Sequence, residues 1–221
     1  MRFGCPHFCL CLIFCFTAAA FSQSSSSSGI HVKPSRPAPE KSGLDPGTFT
    51  DGLYRNKSFG FSCAIPAGWV LRTDEMNSRQ EEGNAGQQNS SSHSDAGSQV
   101  LLAAFSRPPE AAASDVNSSI LIAAESASAY PGLTEPVQYF DPLTEVAKAQ
   151  GFMVDEEPYE VGIGTKTLVR SDFHKNIGTR VMRQSTLAFL ARGYAVSITV
   201  IAGTYDEIEE LITGLTFTPK K

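Results

Sequence analysis

The stretches TKTLVRSDFHK (165–175), TRVMRQSTLAFL (179–190) and YAVSITVIA (194–202), followed by TYDEIEELITGLTF (204–217), decide the fold. The first three are β-type runs separated by Asn176-Ile177-Gly178 and Ala191-Arg192-Gly193. Connections this short, each with a glycine, join antiparallel neighbours, so the spacing predicts a three-stranded meander. Thr204 stands three residues before Glu207 as a capping box, and Ile208, Leu211 and Ile212 fall at helical spacing, which predicts a helix over Tyr205 to Thr213. Gly214 is placed to end it in the left-handed conformation, and Leu215-Thr216-Phe217 returns the chain to a sheet.

Working towards the N-terminus, Gln99 to Ser106 and Ser119 to Glu125 are two further strands. Their runs Val100-Leu101-Leu102 and Ile120-Leu121-Ile122 are continuous, which marks central strands covered on both faces. A long helix is expected over about Glu135 to Gln150, with Gly151 as its stop and a restart at Asp141-Pro142, Asp141 being the N-cap. Arg72 to Ser98 holds one large apolar residue, Met76, among Asn, Gln, Ser, Gly, Asp and Glu. It cannot bury enough surface to offset its ordering entropy, so about 73–98 is expected to be a disordered insertion.

The domain is expected to open with a short strand over Thr48 to Tyr54, joined through Asn56-Lys57-Ser58 to a second over Phe59 to Ile65. In that second strand Phe59, Phe61, Cys63 and Ile65 share one face, which makes Cys63 a small buried hydrophobe. Pro66-Ala67-Gly68 turns the chain into Trp69, whose role is either a core anchor or a binding aromatic at a ligand pocket. The runs Tyr54 to Phe61 and Ile65-Pro66-Ala67-Gly68-Trp69 resemble the opening hairpin of the superfamily that contains the photosystem PsbP proteins and the Ran-binding Mog protein, and the closing helix with Leu215-Thr216-Phe217 resembles its end. That resemblance implies an α+β fold, an antiparallel β-sheet flanked by helices as an α/β/α sandwich. It implies no single activity, because members serve as accessory or partner-binding proteins, and no family site carries over residue by residue.

Residues 1–22 have Arg2, an apolar run from Phe8 to Phe16 and small residues before Ser22, the pattern of a signal peptide. The apolar run is shorter than the ~20 residues that span a bilayer, so no stable membrane span is expected after cleavage. Four of the five cysteines lie in this segment, leaving Cys63 with no partner for an internal disulfide. Residues 23–47 are Ser-rich and then Pro-rich, a disordered linker, and 48–221 is a single domain of about 170 residues. The net charge of −5 becomes −6 once Arg2 is removed, and with no basic stripe, nucleic acid is a poor partner.

Chemistry-bearing motifs are sparse. His7 lies in the signal segment, His31 in the linker and His93 in the polar stretch, and no His-x-His, His-Glu-x-x-His or Cys pair offers a metal site. Gly-x-Ser-x-Gly is absent, and Gly162-Ile163-Gly164 lacks the remainder of a phosphate loop and is expected to be a tight turn or strand break. Asp155-Glu156-Glu157 before Pro158 is expected to be a solvated connection. In Asp172-Phe173-His174 alternation puts Asp172 and His174 on one strand face, either as a general base with its orienting carboxylate or as a solvent-facing pair opposite a buried Phe173. Trp69, Asp172 and His174 are therefore the candidate binding residues, with no catalytic residue, metal or cofactor expected.

The function this supports is a secreted or periplasmic, non-enzymatic module that binds a protein or envelope partner. A small-molecule or lipid carrier with a pocket between sheet and long helix is the alternative, and a hydrolase at Asp172 and His174 stands third. N-terminal sequencing of the exported protein is expected to give a mature chain beginning after Ala20 or Ser22, and a chain still starting near Met1 would defeat the cleavage expectation.

Overall fold

The computed structural model describes residues 44–85, 98–108, 110–111 and 115–218, with side chains from 81 to 85 excluded. The signal segment, most of the linker, His31 and His93 lie outside the described residues. Its strands are β1 (Thr48–Thr50), β2 (Leu53–Asn56), β3 (Phe61–Ala64), β4 (Val70–Leu71), β5 (Ser98–Phe105), β6 (Ser119–Ser126), β7 (Met153–Ile163), β8 (Lys166–Ile177), β9 (Arg180–Ala191), β10 (Tyr194–Ala202) and β11 (Leu215–Phe217). The helices are α1 (Thr73–Ala85), α2 (Phe140–Ala149) and α3 (Tyr205–Thr213), with 3-10 turns at Ala127–Ala129 and Pro136–Tyr139.

Every strand pairing is antiparallel, and the fold is α+β. A large sheet has the order β4-β5-β6-β10-β9-β8-β7, and a small one β1-β2-β3-β11. The predicted meander is β8-β9-β10. Alternation along β10 sends Val196, Ile198, Val200 and Ala202 to one face, where they join Leu187 and Phe189 of β9 and Ile208, Leu211 and Ile212 of α3 in the main core. The small sheet completes that cover. Its Phe61 and Phe217 meet Phe189 edge-on at 6.1 and 5.4 Å between ring centroids, a favoured aromatic geometry. The other face of the large sheet carries Val169, Ala188 and Ala195 under Tyr139 and Phe140, and Phe173 under Ala147 and Phe152. The sheet is thus sandwiched, with α3 beside the small sheet on one side and α1 and α2 on the other.

Helix α3 is capped as expected at its start. Thr204 Oγ1 accepts from the Glu207 N–H at 3.2 Å, while the Glu207 carboxylate reaches back to the Gly203 N–H at 3.3 Å and takes Ser118 Oγ at 2.5 Å. Its end differs from expectation: Gly214 has φ −69°, a right-handed conformation. Glycine suits the crowding there, since a Cβ would lie 3.1 Å from the Leu211 carbonyl oxygen and 3.2 Å from that of Ala64, and the neighbours would have to give way. The restart at Asp141 is also not found. The 3-10 turn runs directly into α2, and Pro142 sits in the first helical turn, where a missing N–H costs nothing because no intrahelical acceptor exists for it.

Three further expectations are corrected. Residues 44–47, expected in the linker, belong to the folded body: Leu44 packs on the main core, Asp45 accepts from the Gly47 and Ser58 N–H groups, and the Tyr54 hydroxyl donates to the Pro46 carbonyl. Thr48 to Tyr54 is a hairpin and not one strand, because Asp51 and Gly52 both take positive φ, 52° and 73°, the geometry of a two-residue turn. Thr73 to Ala85, inside the stretch read as a disordered insertion, is helix α1, and 86–97 lies outside the described residues.

Polar contacts to a strand edge hold α1 in place. Beyond the short β4, the exposed side of β5 would present unpaired backbone groups. The Arg72 N–H donates to the Ala103 carbonyl at 2.8 Å, and the Ala103 N–H donates to Thr73 Oγ1 at 3.0 Å. The Asn77 carboxamide then imitates a strand residue: its Oδ1 accepts from the Val100 N–H at 3.0 Å and its Nδ2 donates to the Val100 carbonyl at 2.9 Å. Only Met76 adds apolar packing, on Val100, Ala103 and Phe105. Asn77→Ala strips both partners from a residue that is 2 % exposed, so a loss of about 1–3 kcal/mol is expected. Denaturant unfolding measures it, and an unchanged midpoint would show that α1 does not secure this edge.

Candidate functional site

Strand β7 is the free edge of the large sheet, and its pairing with β8 is irregular. Val154 faces Phe173, Glu156 faces Asp172 and Tyr159 faces Arg170, so the register slips twice and β7 holds two residues more than β8 across this interval. Pro158, which has no N–H for a ladder, falls within the second slip. Asp155, Glu156 and Tyr159 consequently all line a hollow facing α3, which strict alternation would forbid. The acidic run expected as a solvated connection is therefore part of a bulged edge strand. The Ser171 hydroxyl donates to the Glu156 carbonyl at 2.7 Å, satisfying backbone that the bulge frees from the ladder.

From β8, Arg170 and Asp172 point to the same face as Leu168 of the main core. From α3 come Tyr205 and Glu209, one turn apart. The hollow these residues enclose, with Asp155, Glu156 and Tyr159, has a volume of about 450 Å³, within the roughly 300–1,000 Å³ range of ligand clefts. At its base Arg170 Nε donates to both Asp172 oxygens at 3.0 and 3.1 Å, and Nη2 meets Glu209 Oε1 at 2.6 Å. The side chains of Arg170 and Asp172 are only 7 % and 8 % exposed. Burial pulls the Arg170 pKa down, but Glu209 and Asp172 more than offset it, and the guanidinium is held above its ordinary value. The Tyr159 hydroxyl donates to Asp172 Oδ2 at 3.0 Å; burial, then the Asp172 charge, push its pKa up to about 12.

At the rim, His174 Nδ1 and Asp155 Oδ1 form an ion pair or hydrogen bond, and the Tyr205 hydroxyl donates to Asp155 Oδ2 at 2.7 Å. Arg183 stacks on the Tyr205 ring, 4.0 Å from its centroid. Asp172 and His174 do share a face, as alternation predicts, but each is bonded to a different partner. Asp172 is buried beneath α3, which removes the solvent-facing alternative for it. Trp69 lies elsewhere, half-buried against the main core, and lines neither the hollow nor the cavity described next. Tyr159, Arg170, Tyr205 and Glu209 were missed; the signal available for them was Pro158 in an edge strand, which announces a bulge.

The pocket expected between sheet and long helix exists, on the opposite face. It is a cleft under α2 over β6, β10 and β9, with a cavity of about 90 Å³. That is below the few hundred cubic ångströms a lipid or drug-sized ligand occupies. Leu143 and Val146 of α2 line it from above, and Ser197 and Thr199 from below. At one end Tyr130 donates its hydroxyl to the Glu125 carboxylate. Tyr139 is 1 % exposed beside them; burial first, then the charge of Glu125, hold its pKa well above the ordinary value.

Elsewhere, Cys63 is fully buried and burial pushes its thiol up to about 12, consistent with a packing role. The sequence contains three Asn-x-Ser tripeptides of the glycosylation type, at Asn56, Asn89 and Asn117; the Asn56 carboxamide is engaged with Asp45 and Phe59, and that of Asn117 with Ser106 and Arg107. Asn89 lies outside the described residues. No helix among the described residues is long and apolar enough to cross a membrane.

No family model matches the chain, and no curated protein matches it. Among solved structures it is similar to a protein of unknown function, PA94 from Pseudomonas aeruginosa, described as a putative regulator, at 16 % identity over 51 % of this chain and 79 % of that one, with a TM-score of 0.36. LpqN of Mycobacterium tuberculosis, involved in cell envelope biogenesis, is 14 % identical over 79 % and 87 %, with a TM-score of 0.36. The Ran-binding protein Mog1p of Saccharomyces cerevisiae is 10 % identical over 72 % and 90 %, with a TM-score of 0.39. At these TM-scores the likeness is loose, and the fold assignment rests on the chain's own strand order.

The Arg170–Asp172 pair makes a direct test of the site's architecture. Arg170→Leu leaves Asp172 buried without its cation and is expected to cost about 3–5 kcal/mol. Adding Asp172→Asn should recover part of that loss in urea unfolding; a double variant no better than the single would mean the pair is not coupled.

Proposed function

We propose that this is an exported, non-catalytic binding module whose working surface is the hollow between the bulge of β7 and the start of α3, and that its partner is a protein presenting basic side chains. The observation that carries this reading is the company the hollow keeps. Met153, Tyr159 and Tyr205 are three of the six exposed large hydrophobic side chains found among the described residues, at 47 %, 37 % and 38 % exposure; Tyr159 and Tyr205 line the hollow, and Met153, opposite His174 in the ladder, stands on the same sheet face. Exposed aromatic and methionine side chains gathered round an ordered arginine are the composition of an interface anchor. The lining holds four carboxylates, Asp155, Glu156, Asp172 and Glu209, against one guanidinium, which complements a basic partner and disfavours nucleic acid.

The non-catalytic part of the proposal is supported by the bonding of the lining. Asp172 accepts from Arg170 and Tyr159, Arg170 is shared with Glu209, and Asp155 holds His174 and Tyr205. A general base needs a lone pair aimed at substrate, and these contacts turn the Asp172 and Asp155 oxygens towards their own protein donors, which favours a binding role. Export is supported by the signal-like segment and the Ser- and Pro-rich stretch behind it.

The test is affinity capture from the exported fraction with the wild-type chain and with a Met153→Ser, Tyr205→Ala variant, both shown to unfold at the same denaturant concentration. A basic protein enriched by the wild type and bound at least about tenfold more weakly by the variant is expected. Equal recovery by both, or no enriched protein at all, would overturn the proposal.

A further inference from the structure

We propose that the cleft under α2 is a binding site for a small alkylammonium ligand, its charged head at Glu125 and its alkyl chain between Leu121 of β6 and Val146 of α2. It is separate from the hollow above, on the opposite face of the sheet.

The cleft follows from two features of the sequence. On the face covered by α3, β9 and β10 carry Leu187, Phe189, Val196, Ile198 and Val200, all buried in the main core. On the face under α2 the same strands carry Gln184, Thr186, Ser197 and Thr199, side chains too short or too polar to fill the space beneath a helix. Leu143 and Val146 belong to the inward side of α2 with the buried Phe140 and Ala147, yet both remain only half-buried. A floor of hydroxyls beneath an apolar helix face is a poor packing solution, since each hydroxyl must be desolvated and given a partner. Thr186 and Thr199 meet at 3.2 Å and Gln184 donates to Thr186 at 3.2 Å, so the floor is ordered.

The chemistry of the ligand comes from the end of the cleft. Glu125 is the one charged side chain on the cavity wall and is 7 % exposed, a buried carboxylate held in place by the Tyr130 hydroxyl. Behind it lies Tyr139, whose ring meets that of Tyr130 edge-on at 5.2 Å. The Tyr139 hydroxyl is fully buried behind the cavity wall, within reach of Glu125, Tyr130 and Ser197, which do line it. Negative charge, aromatic rings and acceptor oxygens at one end with aliphatic walls at the other are complementary to an ammonium head on a short chain. A volume of about 90 Å³ limits the guest to a few heavy atoms, less than the benzene that fits a cavity of ~150 Å³.

The experiment is a titration of the full chain with n-butylamine at pH 7, followed by amide NMR shifts, with 1-butanol and butyrate as comparators. Butylammonium is expected to give saturable shifts at Leu121, Val146, Ser197 and Thr199 with a millimolar Kd, butanol weaker ones and butyrate none. Glu125→Gln is expected to weaken the amine at least tenfold. Should that variant misfold, Val146→Phe fills the cleft from the helix side without touching the carboxylate, and is expected to abolish binding while the chain stays folded. No saturable shift with any probe, which would mean a cleft holding water only, overturns the site. So does equal binding of amine and butyrate, or undiminished amine binding to folded Val146→Phe.

Discussion

Apolar side chains on both faces of a seven-stranded sheet have to be roofed twice, and that requirement organises the rest of this chain. Strand β6 lies near the middle of the sheet and β7 at its far edge, so the segment between them must cross β10, β9 and β8; it does so on one face and supplies α2 as cover. The segment after β10 leaves for the other face, where α3 lies beside the small sheet and β11 closes onto β3. Phe217 is the last aromatic placed: it packs on Phe61 of its own sheet and on Phe189 of the large one, so the end of the chain ties the two sheets together. The small sheet alone, with four short strands, would be marginal in water; the aromatic contacts make it part of one core.

The two covers differ in chemistry, and so do the two recesses. Against α3 the large sheet is aliphatic and aromatic along most of β9 and β10, with the buried Ser185 among them, and at the β7–β8 margin charged residues enter. There Arg170 and Asp172 stand where a core would continue, and they are tolerated because the bifurcated Nε–H contact and Glu209 compensate the desolvation. Under α2 the polarity runs down the middle of the sheet instead, and the helix stands off. One recess is thus a bonded network open at its rim, and the other is a narrow slot with a carboxylate at its end.

The meander was legible because β8, β9 and β10 are separated by glycine turns and because alternation along each is uninterrupted; α3 and β11 were legible from a cap, a stripe and a stop. Helix α1 was illegible because its attachment to β5 is made by Thr73 and Asn77, and hydrophobic periodicity is blind to side-chain amides pairing with a strand edge. The hairpin at Asp51-Gly52 carried a usable signal, an Asp-Gly pair between two short runs, but β1 is exposed throughout and shows no apolar alternation. At the candidate site, Asp172 and His174 were singled out because they lie on one strand two residues apart. Their partners come from β7 and α3, and only the register slip at Glu156 and Tyr159 brings them together. Long-range convergence of this kind leaves almost no trace in local spacing; Pro158 in an otherwise extended run was the one local mark.

Bonding within the hollow bears on what it can do more than the identity of its residues. Arginine, aspartate, tyrosine and histidine together are also the ingredients of proton-transfer chemistry, and the distinction lies in whether a group is left poised. Asp172 has its oxygens committed to Arg170 and Tyr159, and the raised pKa of Tyr159 keeps that phenol protonated and donating through neutral pH. His174 is engaged with Asp155 on the rim, on the side away from the Arg170–Asp172 pair. On the binding role proposed above, such a bonded network presents charge and aromatic edges to a partner at little further ordering cost. Freeing Asp172 to act on a substrate would require breaking bonds that bury two opposite charges, and among the described residues Arg170 is the one cation that forms an ion pair with it.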